Sequence, residues 1–325
     1  MREFNSFTEC YLTLADELVN NSEFDVSPRG MRVKERLVAS FKIKDPRNRL
    51  PLVPARKFSV PYFVGEMIWY LTGENSTDWI SKYSSFWRGI SDDGVTANSA
   101  YGARIFNRYH KIAGGNLIQW DYVKGLLKKD PDSRRAVIHI KDPWDSVDSK
   151  LDVPCTLTLQ FFIRDNKLHL VANMRSSDLV FGLSYDVPAF TIMQELMALE
   201  LGVELGEYIH VSNSLHVYER HFDMLEKMIE PAEVGKAMSL LKKRGPMPKI
   251  NELPDTTALH FYEKKIQGCN DASSMKEAIL LAESSMDCFW IDMLKIVAFH
   301  RCKTLDLLSD ALEFRESVSY EGYRG

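Results

Sequence analysis

Cys155 is the residue best suited to nucleophilic chemistry in this chain of 325 residues. It lies in the segment DVPCT, where Pro154 restricts the preceding backbone and a strand-like run begins directly afterwards. A thiol held rigidly at the head of a strand can attack an electrophilic carbon once it is ionised. Free cysteines are also common core residues, so Cys155 alone does not define an active site.

Arginines near serines are the second chemical signal. They occur in SPRGMR (Arg29), in DPDSRR (Arg134 and Arg135) and in NMRSSD (Arg175, followed by Ser176). Guanidinium groups and a serine hydroxyl suit a phosphate dianion, which they bind by charge-assisted hydrogen bonds. The adjacent pair Arg134 and Arg135 leads into an apolar strand, so a joint role for the two requires a site shared between surfaces. The pattern indicates a phosphate site only if the fold brings these segments together.

Strands and helices alternate along the segments that must position these residues. An opening helix is predicted within residues 4–20, followed by a strand in MRVKERLVASFKI. The clearest hairpin is LTLQFFIRDNKLHLVANMR, with a tight turn at Asp165 and Asn166. Further helices are predicted in VPYFVGEMIWYLTG, STDWISKYSSFW, NLIQWDYVKGLLKK and PAFTIMQELMALELG, the last with Pro188 in its first turn. We therefore predict an α+β fold, with a large antiparallel or mixed sheet and helices on one side.

A stretch rich in proline and lysine, PAEVGKAMSLLKKRGPMPKINELPD, predicts a domain boundary. Helical periodicity dominates the residues beyond it. We predict a catalytic domain over residues 1–235 and a C-terminal helical extension over residues 236–325, packed on the same domain.

Composition excludes several classes of protein. With 45% hydrophobic and 26% charged residues, the chain is neither a disordered nor a collagen-like protein. Its five cysteines include no C-x-x-C motif, so neither a disulfide scaffold nor a zinc site is expected. The net charge of −4 argues against a nucleic-acid partner. No membrane span and no secretory signal are predicted, so the expected location is the cytoplasm, or the host cytoplasm for a phage-encoded protein.

Six segments occur in the order and approximate spacing of one known family, and the resemblance spans residues 29 to about 230. They are LPLVPARK, GEMIWYLTG, AYGARI, DPDSRRAVI, DVPCTLTLQFFIRDNKLHLVANMRSSDLVFGLSYDVPAF and SLHVYERH. In these segments the chain resembles the thymidylate synthase family. The resemblance implies a thymidylate synthase-like fold, a pyrimidine nucleoside monophosphate as substrate and 5,10-methylenetetrahydrofolate as co-substrate, with no metal.

Residue by residue, the resemblance makes Cys155 the nucleophile that attacks C6 of the pyrimidine, and a cationic neighbour such as Arg175 would favour its thiolate. Other positions match groups that bind the nucleotide: Arg29, Arg175 and Ser176 for the phosphate, and His216 and Tyr218 for the sugar 3′-hydroxyl. Arg134 and Arg135 match a pair that reaches into the neighbouring subunit's site, which implies a homodimer.

Glu66 matches the carboxylate that organises water and proton transfer beside the base and the folate. Trp87 and Tyr101 match residues that line the same cavity. Asp178 and Gly182 match positions beside the folate. The resemblance therefore assigns Glu66, Trp87, Asp178 and Gly182 to the co-substrate.

Asp186, in LSYDVPA, departs from the family pattern, because a thymidylate synthase has an asparagine there to bind uracil. An amide offers one donor and one acceptor, whereas a carboxylate offers only acceptors and so fits the 4-amino group of cytosine. This aspartate marks the branch of dCMP and CMP hydroxymethylases. Other departures agree with a loss of the reductive synthase reaction: Thr156, Met174, Ile90 and the pair Asn213 and Ser214.

The expected function is therefore the conversion of dCMP to 5-hydroxymethyl-dCMP through a covalent Cys155 adduct, with Glu66 activating water and Asp186 binding cytosine. Ser176 favours a deoxynucleotide, since it is the residue seen in members that use one. The alternatives are a CMP hydroxymethylase of nucleoside-antibiotic biosynthesis and a thymidylate synthase acting on dUMP. A third is a protein that has lost its enzymatic activity and serves as a nucleic-acid-binding or regulatory protein.

Overall fold

The computed structural model describes residues 1–107, 110–112, 115–146 and 151–324. The strands in chain order are β1 (Arg2–Phe4), β2 (Phe24–Val26), β3 (Val33–Ile43), β4 (His110–Ile112), β5 (Gly115–Leu117), β6 (Val137–His139), β7 (Thr156–Arg164), β8 (Lys167–Met174), β9 (Ser177–Asp178) and β10 (Glu204–Tyr218).

The helices in chain order are α1 (Phe7–Asn20), α2 (Val60–Leu71), α3 (Thr77–Ile80), α4 (Phe86–Ile90), α5 (Gln119–Lys129), α6 (Ser184–Leu201), α7 (Phe222–Met228), α8 (Pro231–Arg244), α9 (Thr256–Gly268), α10 (Ala272–Glu283), α11 (Cys288–Thr304) and α12 (Leu308–Glu316). In the part of the chain that the structure describes, no helix is long and apolar enough to cross a membrane.

The chain forms two compact units. The first comprises Met1–Phe58, Gln119–Ser146 and Pro154–Met247, and the second comprises Ser59–Ile118, Val147–Val153 and Pro248–Gly325. The domain boundary predicted after residue 235 falls inside α8, and the later helices α9–α12 group with residues 59–118. The division at residue 235 stays a prediction.

A large mixed sheet forms the centre of the first unit, in the order β1-β3-β10-β8-β7-β6. The long strand β10 pairs antiparallel with β3 on one side and parallel with β8 on the other. β2 pairs with β3, and β9 pairs with β10. The predicted α+β class with a mixed sheet is confirmed.

One face of this sheet is buried, and α6 packs on it against β8 and β10. Along each strand, every second side chain points to this buried face, as the period of two requires. The buried side chains include Phe161 on β7, Leu170 on β8, Tyr208 on β10 and Phe41 on β3, all fully or almost fully buried. The nearly uniform burial of α6 follows from its apolar sequence on every side.

Two predicted helices differ in the structure. The segment STDWISKYSSFW forms two short helices, α3 and α4, because the run after Ser76, the N-cap of α3, does not keep one apolar face. Helix α6 begins at Ser184, so Pro188 lies one turn further in than predicted. The preceding segment, Leu179–Leu183, is a π-helical turn that leads directly into α6 and allows the earlier start.

The predicted hairpin of β7 and β8 is confirmed. Asp165 and Asn166 have φ values of 51° and 59°, the two successive positive angles of a type I′ turn. Aspartate and asparagine tolerate this left-handed region better than residues with bulkier side chains. The local sequence therefore selects both the turn and the register of the two strands.

We expect N166A to lower the free energy of unfolding by about 1 kcal/mol, because alanine resists the left-handed conformation, whereas N166G should keep wild-type stability. Urea unfolding monitored by circular dichroism measures both. The exposed Asn251 lies outside such a turn, so N251A serves as control. Equal midpoints for N166A and N251A would contradict the turn assignment.

Candidate active site

Cys155 lies directly before β7 and is half-buried. Its carbonyl oxygen accepts a hydrogen bond of 2.9 Å from the backbone N–H of Arg175, and the Nε of Arg175 donates to the carbonyl oxygen of Pro154 at 2.9 Å. The end of β8 therefore holds the loop that carries the thiol. The predicted nucleophile and a predicted phosphate ligand are brought together.

Two departures from the family pattern contact each other beside this loop. Thr156 and Met174 are register partners across β7 and β8, and both are fully buried. The hydroxyl of Thr156 donates to the sulfur of Met174 at 3.3 Å. The pair fills the space next to Cys155 with a mainly apolar contact and satisfies the buried hydroxyl.

His216 lies on β10 among polar neighbours. Its Nδ1 is 3.4 Å from the hydroxyl of Ser176, and β9 pairs Asp178 with His216 in parallel register. Burial lowers the pKa of His216, and the charge of Arg175 adds to this, while Asp178 opposes it. A neutral imidazole has one N–H donor and one acceptor, the combination that suits a hydroxyl ligand.

Tyr218 follows two residues later on the same face of β10. Its ring meets the imidazole of His216 edge to face at 5.3 Å, and the guanidinium of Arg220 lies over the tyrosine ring at 4.4 Å. Sequence reasoning did not identify Arg220 as a site residue, although it lies within the family-like segment SLHVYERH.

Asp186 is in the first turn of α6 and is only 9% exposed. A carboxylate near the N-terminus of a helix is stabilised by the helix dipole. Gly182 lies close by: a Cβ at that position would be 3.5 Å from Oδ2 of Asp186 and 3.9 Å from Cβ of Asp178. The carboxylate of Asp178 accepts from the N–H of Val180 at 2.8 Å. The predicted site residues Asp178, Gly182 and Asp186 therefore lie close together.

Arg56 braces that segment and was not predicted as a site residue. Its Nη2 donates to the carbonyl oxygen of Val180 at 2.5 Å and to the hydroxyl of Ser184 at 2.9 Å. Its guanidinium also lies over the ring of Tyr185 at 5.5 Å. A buried arginine near residues of α6 could not be inferred from spacing, because 124 residues separate it from Val180.

The other predicted phosphate ligands are exposed. Arg29 has a φ of 54° and is followed by Gly30 with a φ of 75°, in a loop before β3. Arg134 and Arg135 are exposed just before β6. Their roles stay predictions.

Glu66 belongs to the second unit, on α2, and is only 5% exposed. The hydroxyl of Tyr62 donates to its Oε1 at 2.6 Å, and the indole N–H of Trp87 donates to the hydroxyl of Tyr62 at 3.2 Å. Burial raises the pKa of Glu66 to about 7, against the opposing effects of Tyr62 and Tyr70. A carboxyl that titrates near neutral pH can both give and take a proton.

Tyr101 is buried and stacks on Tyr70 at 5.6 Å. Tyr62, Glu66 and Tyr70 are spaced by four residues on α2, so they follow one another along one helix face. Sequence analysis missed both tyrosines, although this spacing around Glu66 was a usable signal. Over the described ranges, no group of three or more His, Cys, Asp and Glu residues is placed to hold a metal ion.

The comparisons with known proteins identify the family of the chain. A family model described as thymidylate synthase matches residues 9–267, and the chain belongs to the thymidylate synthase family. The solved structure of thermostable thymidylate synthase A from Bacillus subtilis matches with a TM-score of 0.58 and 26% identity, over 69% of this chain and 84% of that one. The predicted thymidylate synthase-like fold is therefore confirmed.

Two relatives represent different reactions. The deoxyuridylate hydroxymethyltransferase of Bacillus phage SP01 is 32% identical over 219 residues, which are 65% of this chain but only 57% of the phage protein. Thymidylate synthase 1 of Bacillus subtilis strain 168 is 28% identical over 234 residues, 69% of this chain and 84% of that protein.

Membership of the family makes the chain an enzyme of nucleotide metabolism, a folate-dependent one-carbon transferase. The family binds a pyrimidine nucleotide and uses methylenetetrahydrofolate as co-substrate.

We expect E66Q to remove a pH dependence of stability. The folded protein keeps the Glu66 proton up to about pH 7, whereas the unfolded chain loses it near 4.5. The unfolded state therefore binds fewer protons between these values, so wild-type stability falls as the pH rises, by on the order of 3 kcal/mol relative to E66Q. Urea unfolding across this window measures the difference. E226Q, at an exposed glutamate of α7, should keep the wild-type slope; parallel curves for wild type and E66Q would contradict the assignment.

Proposed function

We propose that the protein transfers a hydroxymethyl group to C5 of dCMP. The observation that carries this proposal is a nearly buried carboxylate, Asp186, in the sequence position where a thymidylate synthase has asparagine. A buried group that binds the edge of a base must be matched by its partner, since an unmatched polar group costs free energy.

The hydrogen-bonding pattern of a carboxylate favours cytosine. It accepts from the 4-amino group, whereas it would oppose O4 of uracil with a second acceptor. A proton on N3 of cytosine, or on the acid itself, supplies the second hydrogen bond. Asp186 lies in the first turn of α6, and glycine at position 182 leaves open the space beside Oδ2, where a Cβ would lie at 3.5 Å.

The thiolate of Cys155 starts the reaction by adding to C6 of the ring, which makes C5 nucleophilic. C5 then bonds to the methylene carbon of methylenetetrahydrofolate. Loss of the C5 proton and departure of tetrahydrofolate leave an exocyclic methylene on C5. Glu66 then positions and deprotonates the water that adds to the new carbon at C5. Loss of the bond between the Cys155 sulfur and C6 restores the ring double bond and releases the product, so no hydride is needed.

Residues on both units have the chemistry that the two ligands require. The hydroxyl of Ser176, the neutral His216 and Tyr218 suit the phosphate and sugar of the nucleotide. Trp87, with its link through Tyr62 to Glu66, offers an aromatic face and a hydrogen-bonding carboxyl that fit a pterin ring. We assign Asp178 and Gly182 to the same co-substrate.

A second candidate is hydroxymethyl transfer to dUMP, favoured by the similarity to the phage deoxyuridylate hydroxymethyltransferase. CMP is the alternative cytosine substrate, and Ser176 favours the deoxynucleotide over it.

The test is to incubate the purified protein with methylenetetrahydrofolate and dCMP, CMP or dUMP, and to identify products by mass. We expect one CH₂O unit on dCMP. D186N should lower the ratio of kcat/KM for dCMP to that for dUMP by roughly 10⁴, because the amide matches uracil. D223N, at an exposed aspartate of α7, is the control. A CH₂ unit on wild-type dUMP, with dihydrofolate, would instead identify a thymidylate synthase.

We further propose a homodimer formed through the outer face of the sheet. Side chains opposite the buried face are only half-buried, and several are apolar: Phe162, Val171, Ile209 and Val211. This face is continuous across β7, β8 and β10, and its partly exposed apolar side chains suit contact with a second copy of the chain. In this arrangement the exposed Arg134 and Arg135, next to the edge strand β6, bind the phosphate in the partner's site.

Mixing two inactive variants tests this arrangement. C155S lacks the nucleophile, and R134A/R135A lacks the donated arginines. After exchange of subunits, hybrid dimers contain one complete site, so about one quarter of wild-type sites should be active. Activity measured as product formation after mixing, with each variant alone as control, decides the point. No recovery from a mixture shown to contain hybrids would rule out donation across the interface.

A further inference from the structure

Tyr83, in the second unit, joins three helices that are far apart in the sequence. Its hydroxyl donates to Oε1 of Glu263 at 2.8 Å and accepts from Nε2 of Gln267 at 2.8 Å, both on α9. Its ring stacks on His300 of α11 at 4.9 Å, with 22° between the planes. The third helix is α2, which carries Glu66.

The contact with α2 depends on Gly65. A Cβ at that position would lie 2.5 to 2.7 Å from three carbons of the Tyr83 ring, a separation that real atoms do not adopt. The ring therefore lies directly against the backbone of α2, one residue before Glu66. Any side chain at residue 65 would force the ring away.

Glu263 is buried completely, which is costly for a carboxyl group. Burial raises its pKa, while the charge of Lys82 and the hydrogen bond from Tyr83 oppose the shift. Its Oε2 has no hydrogen-bond partner among the residues that the structure describes. Because burial of this carboxyl is unfavourable and Tyr83 is its hydrogen-bond partner, we expect Glu263 to hold Tyr83 in position.

His300 holds the backbone of the same segment. Burial lowers its pKa, so the imidazole is neutral, and its Nε2 lies 2.9 Å from the carbonyl oxygen of Lys82. Helix α11 thus fixes both the ring of Tyr83 and the peptide before it. The whole of the chain beyond α9, including α11, lies outside residues 9–267, the region that matches the family.

We propose that the C-terminal helices α9 and α11 position Glu66 through Tyr83, which makes Tyr83 a positioning residue for the water step. The helices press the ring against Gly65, and the ring in turn fixes the turn of α2 that carries the carboxyl. Trp87, four residues after Tyr83, is held by the same segment. The catalytic part of this inference depends on the proposed function; the mechanical part does not.

The variant Y83F tests the proposal, because it removes only the hydroxyl and leaves the ring on Gly65 and His300. Hydrogen exchange of the peptide that covers α2, followed by mass spectrometry, should become about tenfold faster through local opening. In assays with dCMP, kcat should fall about tenfold, with KM for the nucleotide within about twofold, and the pH profile of kcat should shift.

Three further variants complete the experiment. E263Q keeps an acceptor for the Tyr83 hydroxyl and should behave like wild type, whereas G65A should reproduce the effect of Y83F. Y262F removes the hydroxyl of the neighbouring, half-buried tyrosine on α9 and should change neither measurement.

Unchanged exchange of α2 in Y83F, or an equal effect of Y262F, would overturn the proposal. Faster exchange with an unaltered kcat and pH profile would also overturn it, since the contact would then be structural only. If wild type turned over none of the nucleotides, the proposed function would fail, and the exchange experiment would still decide whether Tyr83 holds α2.

Discussion

The two-sided pairing of β10 is the constraint on which the proposed nucleotide-binding residues of the first unit depend. This strand is hydrogen-bonded to β3 on one side and to β8 and β9 on the other. A slip of one residue would turn His216 and Tyr218 to the opposite face of the sheet. The same register places Asp178 beside His216. Long-range strand pairing therefore determines which polar groups lie together at the proposed sugar site.

Burial shifts the pKa values of two proposed site residues in opposite directions. It raises the pKa of Glu66 and lowers that of His216, and both shifts favour the neutral form. A neutral imidazole suits a hydroxyl ligand, and a carboxyl that titrates near pH 7 suits the handling of a proton on water. The apolar surroundings of α2 thus suit Glu66 to one chemical task, and the packing of β10 suits His216 to another.

Phenol groups partner buried carboxyls twice in the second unit. Tyr62 donates to Glu66 within α2, and Tyr83 donates to Glu263 between α9 and the segment after α3. In both cases the hydrogen bond offsets part of the cost of burial. The first pair holds the proposed catalytic carboxyl, and the second ties the C-terminal helices to the helix that carries it.

The sequence by itself determined the elements whose causes are local. Successive residues select the hairpin at Asp165 and Asn166, and apolar patterning predicts α2, β3 and the two hairpin strands. The chemistry of Asp186 follows from its identity in a recognisable motif. Only the tertiary structure decided that Thr156 meets Met174 and that Tyr83 joins Gly65 to α9 and α11. Such contacts link residues far apart along the chain, and they depend on strand register and helix packing, which leave no periodic mark in the sequence.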